Sequence, residues 1–225
     1  MVVAIDIGHS IQAPGTRSAR GVPEYIFNKR QATAIVEEAG QDFPNLHVII
    51  LNDQGRNISL RQRVQMSVNA GASIFISIHH DSAQKRYLRQ WTYKGKSLDH
   101  TPAIHGFSLF ISPQEKNGPS RHLAAEIATR MIAAGRVPSD HHAEDIPGER
   151  RLLLDRFLGI YAAPFGVLVR SAIPAVLVEF GVIRNKDEEA QLAKPAMRQK
   201  LAKALLQGIA RFCRNDPAGC DGCQR

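Results

Sequence analysis

The feature that most restricts what this chain can fold into is an alternation of short, β-branched apolar runs with longer stretches of helical period. Strands that are apolar at nearly every position are buried on both faces, and strands separated by helices run mainly parallel. On this reading strands lie at residues 2–7, 48–51, 74–78, 107–111, 167–169 and 175–178. The clearest helices span 28–39, 60–70, 120–134 and 195–212, the last with Pro195 near its first turn and apolar residues recurring at three- and four-residue steps. The expectation is a single three-layer α/β domain with a mainly parallel six-stranded sheet flanked by helices.

A chain of 225 residues buries enough apolar surface for one core. One domain over 1–213 is expected, followed by a cysteine-containing tail, 214–225. Cys213, Cys220 and Cys223 all fall at this end, and the CxxC pair lacks a nearby fourth ligand, so a disulfide between two of the three is the preferred reading over reduced thiols. No run approaches the roughly 18 apolar residues that span a bilayer. Met1 leads straight into the first strand without a secretory leader pattern, which leaves a removed leader or another export route. Against 21 Asp and Glu stand 29 Lys and Arg, a net charge of +8 that attracts polyanions. Zinc-finger spacing, RNP-like aromatic segments and dense basic runs are missing, so nucleic acid is not the expected partner. An anionic surface such as a bacterial envelope fits, as does a basic surface that serves solubility alone.

In an open α/β sheet, reacting groups gather beyond the carboxyl ends of the strands. His9 follows the first strand, His79 the third, and Glu179 closes the last; Glu24 lies after a Gly- and Pro-containing loop, just ahead of a helix. Two imidazoles and a carboxylate, with one position left to water, describe a hydrolytic zinc site. Zinc so held lowers the pKa of water to about 7 and polarises a carbonyl. Such chemistry needs a proton acceptor near the ion but not on it, and Glu179 suits that role because an unpaired carboxylate beside Ala175-Val176-Leu177-Val178 is costly to bury without a reason. Taken singly, each residue has a plainer reading, a hydrogen-bonded loop histidine or a glutamate paired with an arginine. Spacing alone leaves these open.

At these same residues the chain resembles the zinc-dependent N-acetylmuramoyl-L-alanine amidases of bacterial cell division and of phage and spore lysins. The likeness is carried by Asp6-Ile7-Gly8-His9, Glu24, Ser59-Leu60 through Arg63 and Asn69, Ser77-Ile78-His79, and Ile173 to Gly181 with Asn185. It implies a mixed sheet of about six strands, one zinc ion per chain on His9, Glu24 and His79, Glu179 as catalytic acid/base, and hydrolysis of the amide between N-acetylmuramic acid and L-alanine in peptidoglycan. It also implies a site of action in the periplasm or cell wall and a monomer; no secretion or immunity partner is legible. Two rivals stand beside it, a zinc peptidase of another specificity and a wall-binding module without turnover. Arg170, after the fifth expected strand, is a candidate substrate contact or oxyanion donor, or serves a surface or structural role. His80, in the His80-Asp81-Ser82 run that departs from the family's usual residues, is a second candidate contact at the groove floor.

Two stretches, 81–105 and 137–164, are too long for simple connections. Tyr87, Trp91 and Tyr93 in the first either form a substrate rim or pin the insertion down. The second holds His141, His142, Glu144, Asp145 and Glu149, either a solvated surface or a segment overhanging the site, and lies where some family members carry a helix whose carboxylate blocks the metal, although Pro147 and Gly148 read as loop.

Overall fold

The computed structural model describes residues 1–215. Its main sheet has seven strands. Four run parallel at one side: β2 (His47–Leu51), β1 (Val2–Ile7), β3 (Ile74–Asp81) and β9 (Ala175–Val182). Beyond β9 lie β6 (Ser108–Ile111), antiparallel to it, then β8 (Ile160–Ala162), parallel to β6, and β7 (Leu152–Asp155) at the edge. A separate hairpin joins β4 (Arg89–Tyr93) to β5 (Lys96–His100). The sheet is therefore mixed and larger than the six strands expected.

Strand alternation sorts the core into two faces. Ile5, Ile76 and Val178 point to a face covered by α1 (Glu24–Asp42), α3 (Pro119–Ala133) and α6 (Pro195–Asn215), packing against Ile35, Ile127 and Leu205. Phe75, Phe110 and Leu177 point to the other, where α2 (Leu60–Asn69) and the single turn α4 (Gly166–Val169) pack through Val64, Val167 and Leu168. Three long helices thus seal one face, while two short ones leave room for a groove on the other. Ser59 starts α2 with a reciprocal cap: its Oγ accepts from Gln62 N–H at 3.2 Å, and its own N–H donates to Gln62 Oε1 at 2.8 Å. After β9, α5 (Lys186–Leu192) begins on Asn185, whose Oδ1 accepts from the Asp187 and Glu188 N–H groups.

The expected strand at 167–169 is instead α4. Three apolar residues carry no usable period. In the turn, Val167 and Leu168 both face the Phe110 and Leu177 side of the core. Burying two such side chains is worth about 3–6 kcal/mol, more than the ~1 kcal/mol range of strand propensity. The missing sheet positions are taken by β7 and β8, both inside the stretch 137–164. Strands β3 and β9 also run on past their expected ends, so His79 and Glu179 lie within strands rather than after them.

The insertion after β3 is folded down by its aromatics. Trp91 Nε1 donates to Ala19 O at 2.8 Å, the Trp91 and Tyr93 rings stack, and Arg20 lies 5.5 Å from both ring centres. Tyr87 donates to Glu144 at 2.5 Å, tying the two long stretches together. Cys213 is buried in α6, which continues to Asn215; Cys220, Cys223 and the disulfide reading lie outside the described residues.

Candidate metal centre and groove

Leaving β1, the chain turns through Gly8 into His9, which takes a left-handed φ of 68°. For a residue with a side chain that conformation costs about 1–3 kcal/mol and needs outside support. Arg63 of α2 supplies it: Nη2 donates to His9 O at 2.5 Å, while Nη1 donates to Ile7 O at 2.5 Å and Asp6 Oδ1 at 2.6 Å. Asp6 also accepts from Ser77 Oγ at 2.8 Å. The buried Asp6–Arg63 pair thus joins β1, β3 and α2 directly beneath His9.

His79 is opposite Glu179 in the parallel β3–β9 register, so both side chains leave the thinly covered face. Glu24, the first residue of α1, returns to the same point after the loop that follows His9. Its Oε1 lies 3.0 Å from His79 Nδ1 and its Oε2 2.9 Å from His9 Nε2, with the two rings 5.0 Å apart at 72°. One turn along α1, Asn28 Nδ2 donates to Glu24 Oε1 at 3.2 Å and to Gly8 O at 3.3 Å; the Thr16 N–H donates to Oε2 at 3.2 Å. Burial pushes the Glu24 carboxyl up, but the hydrogen bonds and charge of His79 and His9 outweigh it and hold the group well below the usual carboxylate range.

Two glycines make this convergence sterically possible. A Cβ on Gly8 would sit 2.4 Å from His79 Nε2, and one on Gly15, itself at φ 75°, would sit 2.4 Å from Glu24 Oε2. The cradle accommodates imidazole and carboxylate only because neither position has a side chain. His9, Glu24 and His79 each offer a ligand atom, all within 4.8 Å of one another, a donor set that can hold a metal ion.

Glu179 borders the same groove, of about 450 Å³, with His9, His79, Leu60, Phe165 and Leu177 along its walls. Its Oε2 is shielded from solvent and has no hydrogen-bond partner among the described residues. Burial, with Asp81 and Glu24 adding negative charge nearby, drives its carboxyl well above the ordinary range. A carboxyl in this state holds a proton readily and gains from a cation beside it.

The two candidate substrate contacts differ in fate. His80, one residue along β3, leaves by the opposite face; it is 2 % exposed, lies against Phe27 and Phe180, and its Nδ1 is 2.8 Å from Asn28 Oδ1. It offers no surface to a substrate, and strand alternation is the reason; its place is behind Asn28, which supports Glu24. Arg170 follows α4 rather than a strand; its Nη1 donates to Gly166 O at 3.0 Å, and Gly166 lines the groove. The carboxylate of Glu144 is taken by Arg86 and Tyr87, so it does not serve as a plug for the metal centre.

Sequence reading missed two groups. Arg63 was only a landmark of resemblance, and nothing along the chain joins it to Asp6, 57 positions away. Asp81, His141 and His142 converge as a second set of potential ligands. The His-His doublet was visible; its carboxylate partner was not.

Together these features define an α/β domain with a His–Glu–His centre at one end of a mixed sheet. The chain belongs to the N-acetylmuramoyl-L-alanine amidase family, whose sequence profile it matches over residues 3–211. It is 23% identical to the N-acetylmuramoyl-L-alanine amidase CwlM of Bacillus licheniformis over 210 residues, covering 93% of this chain and 67% of that protein. It is 24% identical to AmiA of Escherichia coli, covering 94% and 75%. In structure it resembles the catalytic domain of CwlV from Bacillus (Paenibacillus) polymyxa, with a TM-score of 0.71, 24% identity and coverage of 95% and 98%. An amidase from Mycobacterium smegmatis superposes with a TM-score of 0.74 at 21% identity, covering 96% and 97%. At these identities the structural likeness speaks for the fold.

Proposed function

We infer that this chain is a zinc-dependent hydrolase that cleaves the amide between N-acetylmuramic acid and L-alanine in bacterial peptidoglycan. The observation that carries the reading is the meeting of His9, Glu24 and His79, with Glu179 on the same face, its Oε2 shielded from solvent and without a hydrogen-bond partner among the described residues. Family membership over 3–211 supports the substrate class. Two imidazoles and one carboxylate suit zinc, and the Gly8 and Gly15 cradle fits them closely.

Zinc held by these three residues would supply Lewis acidity toward a carbonyl and acidify water. The rest of the chemistry belongs to the chain. Glu179 accepts the proton of the attacking water and passes it to the departing alanine nitrogen, the role of a carboxylate beside the ion but not bound to it. Arg63 and Asn28 keep His9 and Glu24 in place through the cycle. Arg170, bonded to Gly166 O, is the proposed contact for a stem-peptide carboxylate. The surplus of basic residues favours an anionic wall. No helix among the described residues is long and apolar enough to cross a membrane. A monomer acting in the periplasm or cell wall is part of this proposal.

Incubation with purified sacculi tests it. New free L-alanine amino ends on otherwise intact stem peptides are expected; release of single terminal amino acids would point to a peptidase and remove the amidase reading.

A further inference from the structure

At the far end of β3, the register with β9 shifts between His79 and Asp81, and Asp81 turns toward the segment that precedes β7. There its Oδ2 lies 2.7 Å from His142 Nε2 and 3.3 Å from His141 Nε2. This repeats the arrangement of the first centre, where a carboxylate lies 2.9 and 3.0 Å from two imidazole nitrogens. In both sets the ligand atoms fall within 4.8 Å of one another. His141 Nδ1 is 2.8 Å from Ser139 Oγ, so a polar neighbour fixes the ring through the nitrogen remote from Asp81. Metal-binding histidines are oriented in just this way. Side-chain exposures of 3% for His141, 11% for Asp81 and 19% for His142 describe a mostly buried cluster, with the Phe110 ring edge-on to His142 at 5.0 Å.

We propose that Asp81, His141 and His142 form a second metal site, selective for a zinc-class divalent ion, which fastens the His141–Ala143 turn to the end of β3. The donor set of two imidazole nitrogens and one carboxylate favours borderline d-block ions over magnesium or calcium, which prefer oxygen. The site opens on a cavity of about 290 Å³ that Glu149, Lys85 and Arg151 also line. Lys85 and Arg151 oppose a cation there, and Asp81 with Glu149 offset them, leaving the two neutral imidazoles to supply binding energy. Without an ion, the same three side chains form a hydrogen-bonded clamp, the alternative that the experiment separates. The proposal stands apart from the amidase reading, since the first centre shares none of these ligands.

The full chain, stripped with a chelator and re-equilibrated with zinc chloride, is to be counted by inductively coupled plasma mass spectrometry. Two zinc ions per chain are expected, falling to one in His142→Ala and to one in Glu24→Gln; one ion in both wild type and His142→Ala overturns the proposal. Imidazole nitrogen NMR of the wild-type chain needs no substitution. The Nε2 signals of His141 and His142 should move as zinc is added, and signals that stay in place leave only the clamp, whatever the variants do. In Glu24→Gln, one remaining ion with those signals still moving would support the second site independently of the first.

Discussion

Replacing Arg63 by methionine tests the support beneath the metal centre. Methionine keeps much of the side-chain stem and removes every donor. The side chains of Arg63 and Asp6 are 6% and 1% exposed, so the change leaves a carboxylate in the core with only the Ser77 hydroxyl as partner. Breaking a buried pair from one side costs about 3–5 kcal/mol. For a chain of this size each kcal/mol moves Tm by about 2–4 °C, so a fall of roughly 6–20 °C is expected. The carbonyls of Ile7 and His9 lose their donors at the same time, freeing the left-handed His9. Zinc affinity should drop by about 10–100-fold, the usual effect of removing an outer-shell partner. Circular dichroism melts in chelator measure the first effect, and competition with a chromophoric chelator measures the second. The companion Asp6→Asn removes the stranded charge, so the double variant should lose clearly less than the sum of the singles. A single variant within about 1 kcal/mol of wild type, or strictly additive losses, would refute the reasoning.

Glu179→Gln should retain zinc and lower sacculus hydrolysis by about 10²–10⁴-fold, the share of a positioned acid/base; equal turnover would remove the role. Gly8→Ala drives a Cβ into the His79 ring, where 2.4 Å is available, and should weaken zinc binding while the melt in chelator changes little; unchanged affinity would mean that His79 can move aside. Burial pushes the His80 imidazole down to about 3 from its ordinary 6.5. The unfolded chain takes up that proton first, so the stability due to neutral His80 is complete above about pH 6.5. It falls by about 1.4 kcal/mol per unit as pH drops toward 3, and His80→Leu should flatten the slope of urea stability between pH 6.5 and 5. An identical slope in the two proteins would place His80 in contact with water.

Much of the fold was legible because its central strands are apolar on both faces. Residues 2–7 agree to the residue, and the four clearest expected helices lie where their apolar steps predict them. The outer edge beyond β6 was not legible. Residues 167–169 look like strand but are buried more completely as a helical turn, while β7 and β8 are three or four residues long, too short to show a period. His9 and His79 were expected at strand ends, the resemblance added Glu24 to them, and the three side chains do meet. His80 was misjudged because adjacent strand residues face opposite ways, and placing it after the strand hid that rule.

Sequence by itself determined the order of strands and helices, the presence of four polar residues in otherwise apolar settings, and the family to which they correspond. Those are local properties, written in period, composition and motif. Tertiary structure alone decided which face each residue serves, that Arg63 holds His9 through two carbonyls, and that Asp81 meets a histidine pair sixty positions away. Such pairings depend on strand register and on the chain's return path, and neither leaves a mark at the positions that come together.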